Sequence, residues 1–146
     1  QKGNWLELIA PSLPFLDYFI PSLNEAKEIT GANKPEEIAE ILASFGVSTV
    51  ILKLGREGSY CRTETKSFYC SAYSNPAIDS TGAGDAFVSG FLAGIFRQMT
   101  TENSITLGTA VASFVVNRIG ATDGTPDYAT VLRFISEQKE LKIDYV

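Results

Sequence analysis

The chain has 146 residues, of which 45% are hydrophobic and 20% are charged, a balance typical of one globular domain with a sizeable core. Its net charge of -5 and its scattered lysines and arginines argue against a basic surface for phosphate backbones, so we expect no nucleic-acid partner. Histidine is absent, which excludes Ser-His and Cys-His catalysis as well as histidine metal ligands.

The sequence indicates neither a membrane span nor a secretion signal. No apolar run approaches the roughly 20 residues that cross a bilayer, and the first residues lack the basic start and the long apolar stretch of a signal peptide. We therefore expect a cytoplasmic protein with no membrane partner. In that compartment Cys61 and Cys70 are expected to be reduced core thiols rather than a disulfide or metal ligands.

The first third of the chain predicts helices that alternate with a strand. Apolar spacing, capping residues, proline and glycine indicate the limits of each element. They predict a short helix in NWLELIAP closed by Pro11, a buried strand from Phe15 to Ile20, a helix from Ser22 that ends at Gly31, and a helix from Pro35 through Phe45.

A buried strand and a hairpin follow. Residues 47–54, VSTVILKL, are apolar on both faces, as expected for a strand covered on both sides of a parallel sheet. That strand ends in a glycine loop, residues 55–58. Two short strands, residues 59–62 and 67–71, flank the polar turn TETK and predict a hairpin, so the sheet is expected to be mixed with an antiparallel edge.

The second half is predicted to be mostly helical. A glycine-rich turn feeds a long apolar helix, residues 83–96, in which Ala86, Gly90 and Gly94 form a stripe of small residues suited to close packing. Further helices are expected at about residues 104–118 and from the cap at Asp127 onward. So many helices beside only about two buried strands, without an initiator methionine, indicate a fragment of one larger domain.

The segment DSTGAGDAF, residues 79–87, carries the strongest chemical signal. Its small residues let successive backbone N–H groups converge at a helix start, where these groups and the helix dipole bind an anion. Such a site suits a phosphoryl group in transfer, and the Asp85 carboxylate beside it can accept the proton of an attacking hydroxyl. The alternative is a glycine-rich loop in which Asp85 only complements the helix dipole.

DSTGAGDAFVSGFLAG resembles the second signature of the ribokinase-like (PfkB) carbohydrate kinases, D-T-x-G-A-G-D-x-F, from which it departs in the order Ser80-Thr81. PSLNEAKEITG, KLGREGSY and RIGATDGTP also resemble the family, in the expected order. Residues 1–146 are thus similar to the C-terminal nucleotide-binding and catalytic portion of a PfkB-type kinase domain. The implied fold is three-layer α/β/α, with this chain holding the C-terminal part of a doubly wound, mostly parallel sheet with an antiparallel edge hairpin.

The resemblance implies ATP-dependent phosphorylation of a sugar or sugar-acid hydroxyl, with ATP and Mg²⁺ as cofactors. Asp85 matches the catalytic base, and Gly82, Ala83 and Gly84 with the Asp85 N–H match the anion hole. A non-catalytic nucleotide- or protein-binding module on a kinase scaffold is the alternative. Another phosphate-handling enzyme lacks support, because neither a GxxxxGK[ST] loop nor a GxGxxG fingerprint after a strand occurs.

The resemblance also implies a set of ATP contacts. KLGREGSY resembles the loop over the nucleotide phosphates and ribose, and Thr109 falls where family members place a residue beside adenine. The candidate contacts are Lys53, Leu54, Gly55, Arg56, Glu57, Gly58, Gly84 and Thr109. A plain strand-to-hairpin turn explains the loop equally, and a buried helix face explains Thr109.

Two pairs of residues match cation sites of the family. The N-x-x-E motif that helps to organise Mg²⁺, largely through water, corresponds to Ser22 and Glu25, with serine in place of asparagine. The same pair can form a capping box. Asp79 and Thr81 match positions that hold a monovalent cation, usually K⁺, in some members, although Asp79 also suits the start of an Asx-turn.

The resemblance places the lid and nearly every sugar contact in an N-terminal half that is absent here, so the identity of the sugar is not encoded. The chain alone is predicted to be inactive, because it holds half of a site that needs lid closure. Apolar faces left uncovered are expected to cause self-association. For the complete protein, the resemblance is compatible with a homodimer.

Overall fold

A computed structural model describes residues 4–74, 81–116 and 126–146. The helices in this part of the chain are α1 (Trp5–Ile9), α2 (Leu23–Thr30), α3 (Pro35–Ser44), α4 (Ala83–Phe96), α5 (Thr101–Val116) and α6 (Tyr128–Glu137). The strands are β1 (Tyr18–Phe19), β2 (Thr49–Lys53), β3 (Ser59–Arg62), β4 (Ser67–Cys70) and β5 (Ile143–Tyr145). The chain divides into two compact units, residues 1–69 with 144–146 and residues 70–143.

The five strands form one sheet in the order β1-β2-β3-β4-β5. β1 pairs with β2 in parallel, whereas β2 pairs with β3 antiparallel. β3 and β4 are the predicted hairpin, closed by a 2.8 Å hydrogen bond from the Thr63 N–H to the Lys66 carbonyl. The α/β class with an antiparallel edge is confirmed. Parallel pairing among the described residues is confined to β1 with β2 and a bridge between Ser22 and Lys53.

The core of the first unit lies between β2 and the helices α2 and α3. Val50 and Leu52 point to one side of β2 because strand side chains alternate, and they pack with Ala26, Ile38 and Leu42 from the two helices. All five are buried completely. Burying a large aliphatic side chain contributes about 1.5–3 kcal/mol, so this cluster holds the two helices against the strand.

The strand predicted for residues 15–20 is largely wrong. Strand geometry is limited to Tyr18–Phe19, and the preceding residues Leu13–Phe15 form a 3₁₀ turn that contains Pro14. Phe15 is 86% exposed, whereas the apolar pattern predicts that it is buried. The local geometry of proline, which fixes one backbone angle and lacks an N–H donor, prevails over the apolar pattern here.

The second unit contains a close contact between α4 and α5. Added side-chain carbons would collide there: a Cβ on Gly90 would lie 2.8 Å from the Gly108 Cα, and one on Gly94 would lie 2.7 Å from the Ser104 Oγ. The predicted small-residue stripe is therefore confirmed as a packing surface. Its partner residues on α5, Gly108 and Ser104, are not predicted from the sequence.

Both cysteines are free and buried, as predicted for reduced core thiols. Burial raises the pKa of the Cys70 thiol to about 11, since removal from water disfavours the thiolate. Cys70 is therefore a poor nucleophile at neutral pH. Across residues 4–74, 81–116 and 126–146, no helix combines the length and the apolar character that a membrane crossing requires.

Candidate active site

The start of α4 is fixed by a glycine. Gly82, the residue before the helix, has φ 78° and ψ -4°, a left-handed conformation that costs glycine little and other residues more. The first intrahelical bond runs from the Ala86 N–H to the Gly82 carbonyl at 2.9 Å. The N–H groups of Ala83, Gly84 and Asp85 precede it and have no acceptor within a helix.

No side chain of the described residues caps this helix start. The N–H groups of the first turn, together with the positive end of the helix dipole, therefore form an anion-binding geometry. The structure thus brings Gly82, Ala83, Gly84 and Asp85 together at one helix end, as the sequence predicts. Their roles in catalysis stay predictions.

Asp85 is the acidic residue of the first turn of α4, and its side chain is exposed. An exposed carboxylate at this position can reach a hydroxyl that approaches a bound phosphate. A carboxylate at a helix start also stabilises the helix, typically by 0.3–1 kcal/mol, so the helix-dipole alternative fits the same geometry. A rate measurement separates the two.

The predicted K⁺ site is described only in part. Thr81 is exposed and directly precedes Gly82, whereas Asp79 lies outside the described residues. Most of RIGATDGTP, residues 118–125, lies outside them as well. The monovalent cation stays a prediction.

Ser22 and Glu25 form a capping box at the start of α2. The Ser22 N–H donates to Glu25 Oε2 at 2.7 Å, and the Glu25 N–H donates to Ser22 Oγ at 3.3 Å. The backbone and side chain of Ser22, in that order, hold the pKa of the Glu25 carboxyl below its usual range; slight burial opposes the shift, and the Lys53 ammonium adds a smaller lowering. The capping interpretation is confirmed, while the Mg²⁺ role stays a prediction.

Replacing Ser22 with alanine is expected to destabilise the protein by about 1 kcal/mol, because α2 loses its side-chain cap. The measurement is urea unfolding followed by circular dichroism. Asn24→Ala, an exposed change within the same helical turn, is the control and should change stability much less.

The contribution of Glu25 to stability is expected to depend on pH. Its folded-state pKa is lowered, so its carboxylate stabilises the folded chain above the ordinary glutamate range, and this stabilisation is lost as the pH falls through the folded-state pKa. Glu25→Gln should therefore be less stable than the parent at pH 7, and the two should converge in acid. An unchanged difference at low pH would contradict the capping role of the carboxylate.

The predicted nucleotide loop leads from β2 into β3. Gly55–Glu57 form a 3₁₀ turn, and the Leu54 N–H donates to the Gly58 carbonyl at 2.8 Å. Gly55 has φ 63° and Gly58 has φ 99°, and nothing lies within 4 Å of a Cβ built on Gly55. Backbone conformation rather than crowding therefore favours glycine at position 55, and the space beside it is open for a ligand.

The structure brings this loop close to the capping box. Ser22 and Lys53 form a parallel bridge, and the Lys53 N–H donates to the Pro21 carbonyl at 3.0 Å. Ser22, Glu25 and Lys53 through Gly58 belong to the first unit. Asp85 and its glycine turn belong to the second unit.

Thr109 lies on α5 and is 8% exposed. Its Oγ1 donates to the Ile105 carbonyl at 2.8 Å, an arrangement typical of a threonine within a helix. This contact matches the buried-helix interpretation, and the adenine contact stays a prediction.

Sequence reasoning misses two residues that bear on the site. Gly108 sits in the middle of an apolar helix, where glycine costs about 1 kcal/mol relative to alanine, and that cost is the signal for a close packing partner. Ser59 follows the nucleotide loop and is 2% exposed, with no hydrogen-bond partner for its Oγ among the described residues. No pattern in the sequence signals its burial.

A family model, pfkB family carbohydrate kinase, matches residues 4–128. The chain belongs to this family. The relatives of the chain include the 2-dehydro-3-deoxygluconokinase of Bacillus subtilis (strain 168), which is 33% identical over 124 residues, covering 84% of this chain and 38% of the relative. The resemblance to PfkB kinases is therefore confirmed.

Two solved structures share the fold. The aminoimidazole riboside kinase from Salmonella enterica, complexed with aminoimidazole riboside and an ATP analog, has a TM-score of 0.81 and 29% identity and covers 90% of this chain and 46% of its own. An E. coli protein described as a ribokinase II, solved with ATP and Mg²⁺, has a TM-score of 0.83 and 24% identity. The match covers 94% of this chain and 46% of the E. coli chain. The ribokinase-like α/β fold is confirmed.

The chain spans about two fifths of the length of the curated relatives that it matches. These relatives therefore contain many residues outside the part that this chain matches. The activity and the substrate of the whole protein are proposals.

Proposed function

We propose that the protein transfers the terminal phosphoryl group of ATP to a hydroxyl of a sugar or sugar acid. The observation that carries this proposal is the start of α4, where Gly82 leaves the first N–H groups without a described side-chain cap and Asp85 presents an exposed carboxylate in the same turn. Phosphoryl transfer needs this pair of features, an anion site and a proton acceptor.

Asp85 is the general base of the proposed reaction. Its carboxylate accepts the proton of the attacking hydroxyl as the hydroxyl oxygen bonds to the γ-phosphorus of ATP. The bond from that phosphorus to the β–γ bridging oxygen breaks, and ADP leaves. The N–H groups of Ala83, Gly84 and Asp85 donate to the oxygens of the transferring group and stabilise their charge. Removing one such donor from an anion hole typically costs about 10²–10³ in kcat.

ATP and Mg²⁺ fit the residues of the first unit. The loop from Lys53 to Gly58 offers open space at Gly55, and its residues 55–57 are exposed, so nucleotide phosphates can approach it. No cluster of three or more acidic, cysteine or histidine ligands occurs in the described part of the chain, so a dedicated metal cage is not formed there. One exposed carboxylate, that of Glu25, suits a Mg²⁺ ion that keeps most of its water and bridges phosphate oxygens.

The substrate class rests on relatives. Those at about 30% identity or more include the 2-dehydro-3-deoxygluconokinase of Bacillus subtilis and a ribokinase from Staphylococcus aureus. We therefore propose a sugar or sugar acid as acceptor. K⁺ at Asp79 and Thr81 and a homodimer are further proposals that rest on the resemblance alone. A cytoplasmic location is a proposal that rests on the sequence pattern.

ADP release by the protein from the complete reading frame tests this function. The acceptors are a panel of pentoses, hexoses and 2-keto-3-deoxy sugar acids, with a nucleoside and an acceptor-free reaction as controls. We expect ADP release that depends on one class of sugar and on Mg²⁺. Binding of ATP without turnover on any acceptor would instead favour a non-catalytic nucleotide-binding module.

A further inference from the structure

Ser22, Lys53 and Ser59 form a row across the sheet at the end of β2. Ser22 pairs with Lys53 through the parallel bridge, and Lys53 pairs with Ser59 in the antiparallel ladder. Paired residues of neighbouring strands direct their side chains to the same face. The side chain of Lys53 is therefore flanked by two hydroxyl-bearing residues, of which Ser59 is buried without a described partner.

The Glu25 carboxylate lies next to this row. It folds back onto the Ser22 N–H at 2.7 Å, and Ser22 is the bridge partner of Lys53. Neighbouring strands lie about 4.7–4.9 Å apart, so this bridge places the Lys53 backbone close to the Glu25 carboxylate. Lys53 and Glu25 do not form an ion pair in the described part of the chain, whereas Arg62 and Glu40 do, at 3.0 Å.

We propose that the Lys53 ammonium is a resident counter-cation of the Glu25 carboxylate. Its positive charge weakens the binding of free divalent ions at Glu25 and favours their binding together with the nucleotide phosphates. A free divalent cation near Glu25 meets the like charge of the ammonium. Nucleotide phosphates bring enough negative charge to attract both cations at once, and a lysine acts on phosphate as a point charge. Lys53 is thus a positioning residue, and the inference rests on the proposed Mg²⁺ role of Glu25.

The serine at position 22 is consistent with this role. Ser22 uses both its N–H and its hydroxyl in the capping box, so of this pair the exposed Glu25 carboxylate is the group that can still face a metal ion. A neighbouring positive charge weakens metal binding most where few carboxylates surround the ion, because little negative charge offsets the repulsion.

Mn²⁺ binding, measured by electron paramagnetic resonance, tests the inference on the protein from the complete reading frame. Lys53→Met removes the charge and keeps the length of the side chain. Lys34→Met is the matched control, because Lys34 is an exposed lysine at the start of α3 beside a different glutamate, Glu36. Without nucleotide, we expect Lys53→Met to bind Mn²⁺ at least about threefold more tightly than Lys34→Met, the scale of exposed charge pairs acting on a divalent ion. With ADP present, we expect Lys53→Met to bind Mn²⁺ more weakly than Lys34→Met, since the ADP phosphates lose the Lys53 ammonium as a partner.

Further variants decide between Lys53 and other causes. Lys53→Arg keeps the charge and should bind Mn²⁺ as the parent does. The double change of Lys53→Met with Glu25→Gln should lose the gain in Mn²⁺ affinity that Lys53→Met alone produces. Equal Mn²⁺ affinity of Lys53→Met and Lys34→Met would overturn the inference, and so would a gain that survives the loss of Glu25. None of these readouts uses turnover, so an inactive protein would refute the proposed reaction without deciding the role of Lys53.

Discussion

Replacing Asp85 with asparagine is expected to lower kcat by about 10²–10⁴-fold while the affinity for ATP changes little. Asparagine has nearly the same shape as aspartate but cannot accept a proton at neutral pH. The N–H groups of the first turn of α4 do not depend on that side chain, so binding of the phosphates should persist. Steady-state kinetics on the acceptor identified by the sugar panel measure kcat, and calorimetry measures the Kd for ATP.

Ser89→Ala is the control for this experiment, since Ser89 is exposed one turn further along α4. It should leave kcat within about twofold, the scale expected of an exposed change away from the reacting atoms. If Asp85 serves only the helix dipole, Asp85→Asn will lower stability by about 0.3–1 kcal/mol and leave kcat near that of the control. That outcome would remove the base from the proposed mechanism.

Replacing Gly108 with valine is expected to destabilise the protein by about 2–4 kcal/mol. A Cβ at this position would lie 2.6 Å from the Phe87 carbonyl oxygen, 3.2 Å from the Phe91 nitrogen and 3.3 Å from the Phe87 Cδ2. The two nearest atoms belong to the backbone of α4, which cannot rotate away as a flexible side chain can. The helices must therefore move apart and lose part of their contact.

Denaturant unfolding measures this effect, with Thr106→Ala on the half-buried side of α5 as the control. Gly108→Ala gives a stricter test, because alanine improves helix propensity by about 1 kcal/mol. A stabilised Gly108→Ala protein would mean that α4 and α5 separate easily, contrary to the close packing described. A loss of stability would mean that the steric cost exceeds the gain in propensity.

Local chemistry explains what the sequence predicts well. The capping box of Ser22 and Glu25, the left-handed Gly31 that ends α2 and the glycine turn before α4 each depend on neighbouring residues, and their residue types restrict the backbone. The limits of α4 and the stripe of Gly90 and Gly94 follow for the same reason. The anion-binding geometry at Asp85 was therefore predictable from one segment.

The remaining features depend on residues that are distant in the sequence. β5 was not predicted, because a three-residue strand has too short a pattern; its place beside β4 is marked by a 3.0 Å bond from the Val146 N–H to the Ser67 carbonyl. The closeness of Glu25 and Lys53 likewise follows from a bridge between distant segments. The prediction that Phe15 is buried in a strand was wrong for the opposite reason, because a local turn that contains a proline interrupts the apolar stretch.

The glycine contact between α4 and α5 also sets the direction in which the proposed base points. From Asp85 to Gly90 the helix rises by about 7.5 Å, and the two residues point in directions about 140° apart around the helix axis. The helix is thus held on one side and presents its carboxylate on nearly the opposite side, in agreement with the exposure of Asp85. Rotating α4 about its axis by one residue would move that carboxylate by about 100°. The close backbone contacts at Gly90 and Gly108 prevent such a rotation, because larger residues would be brought into the contact.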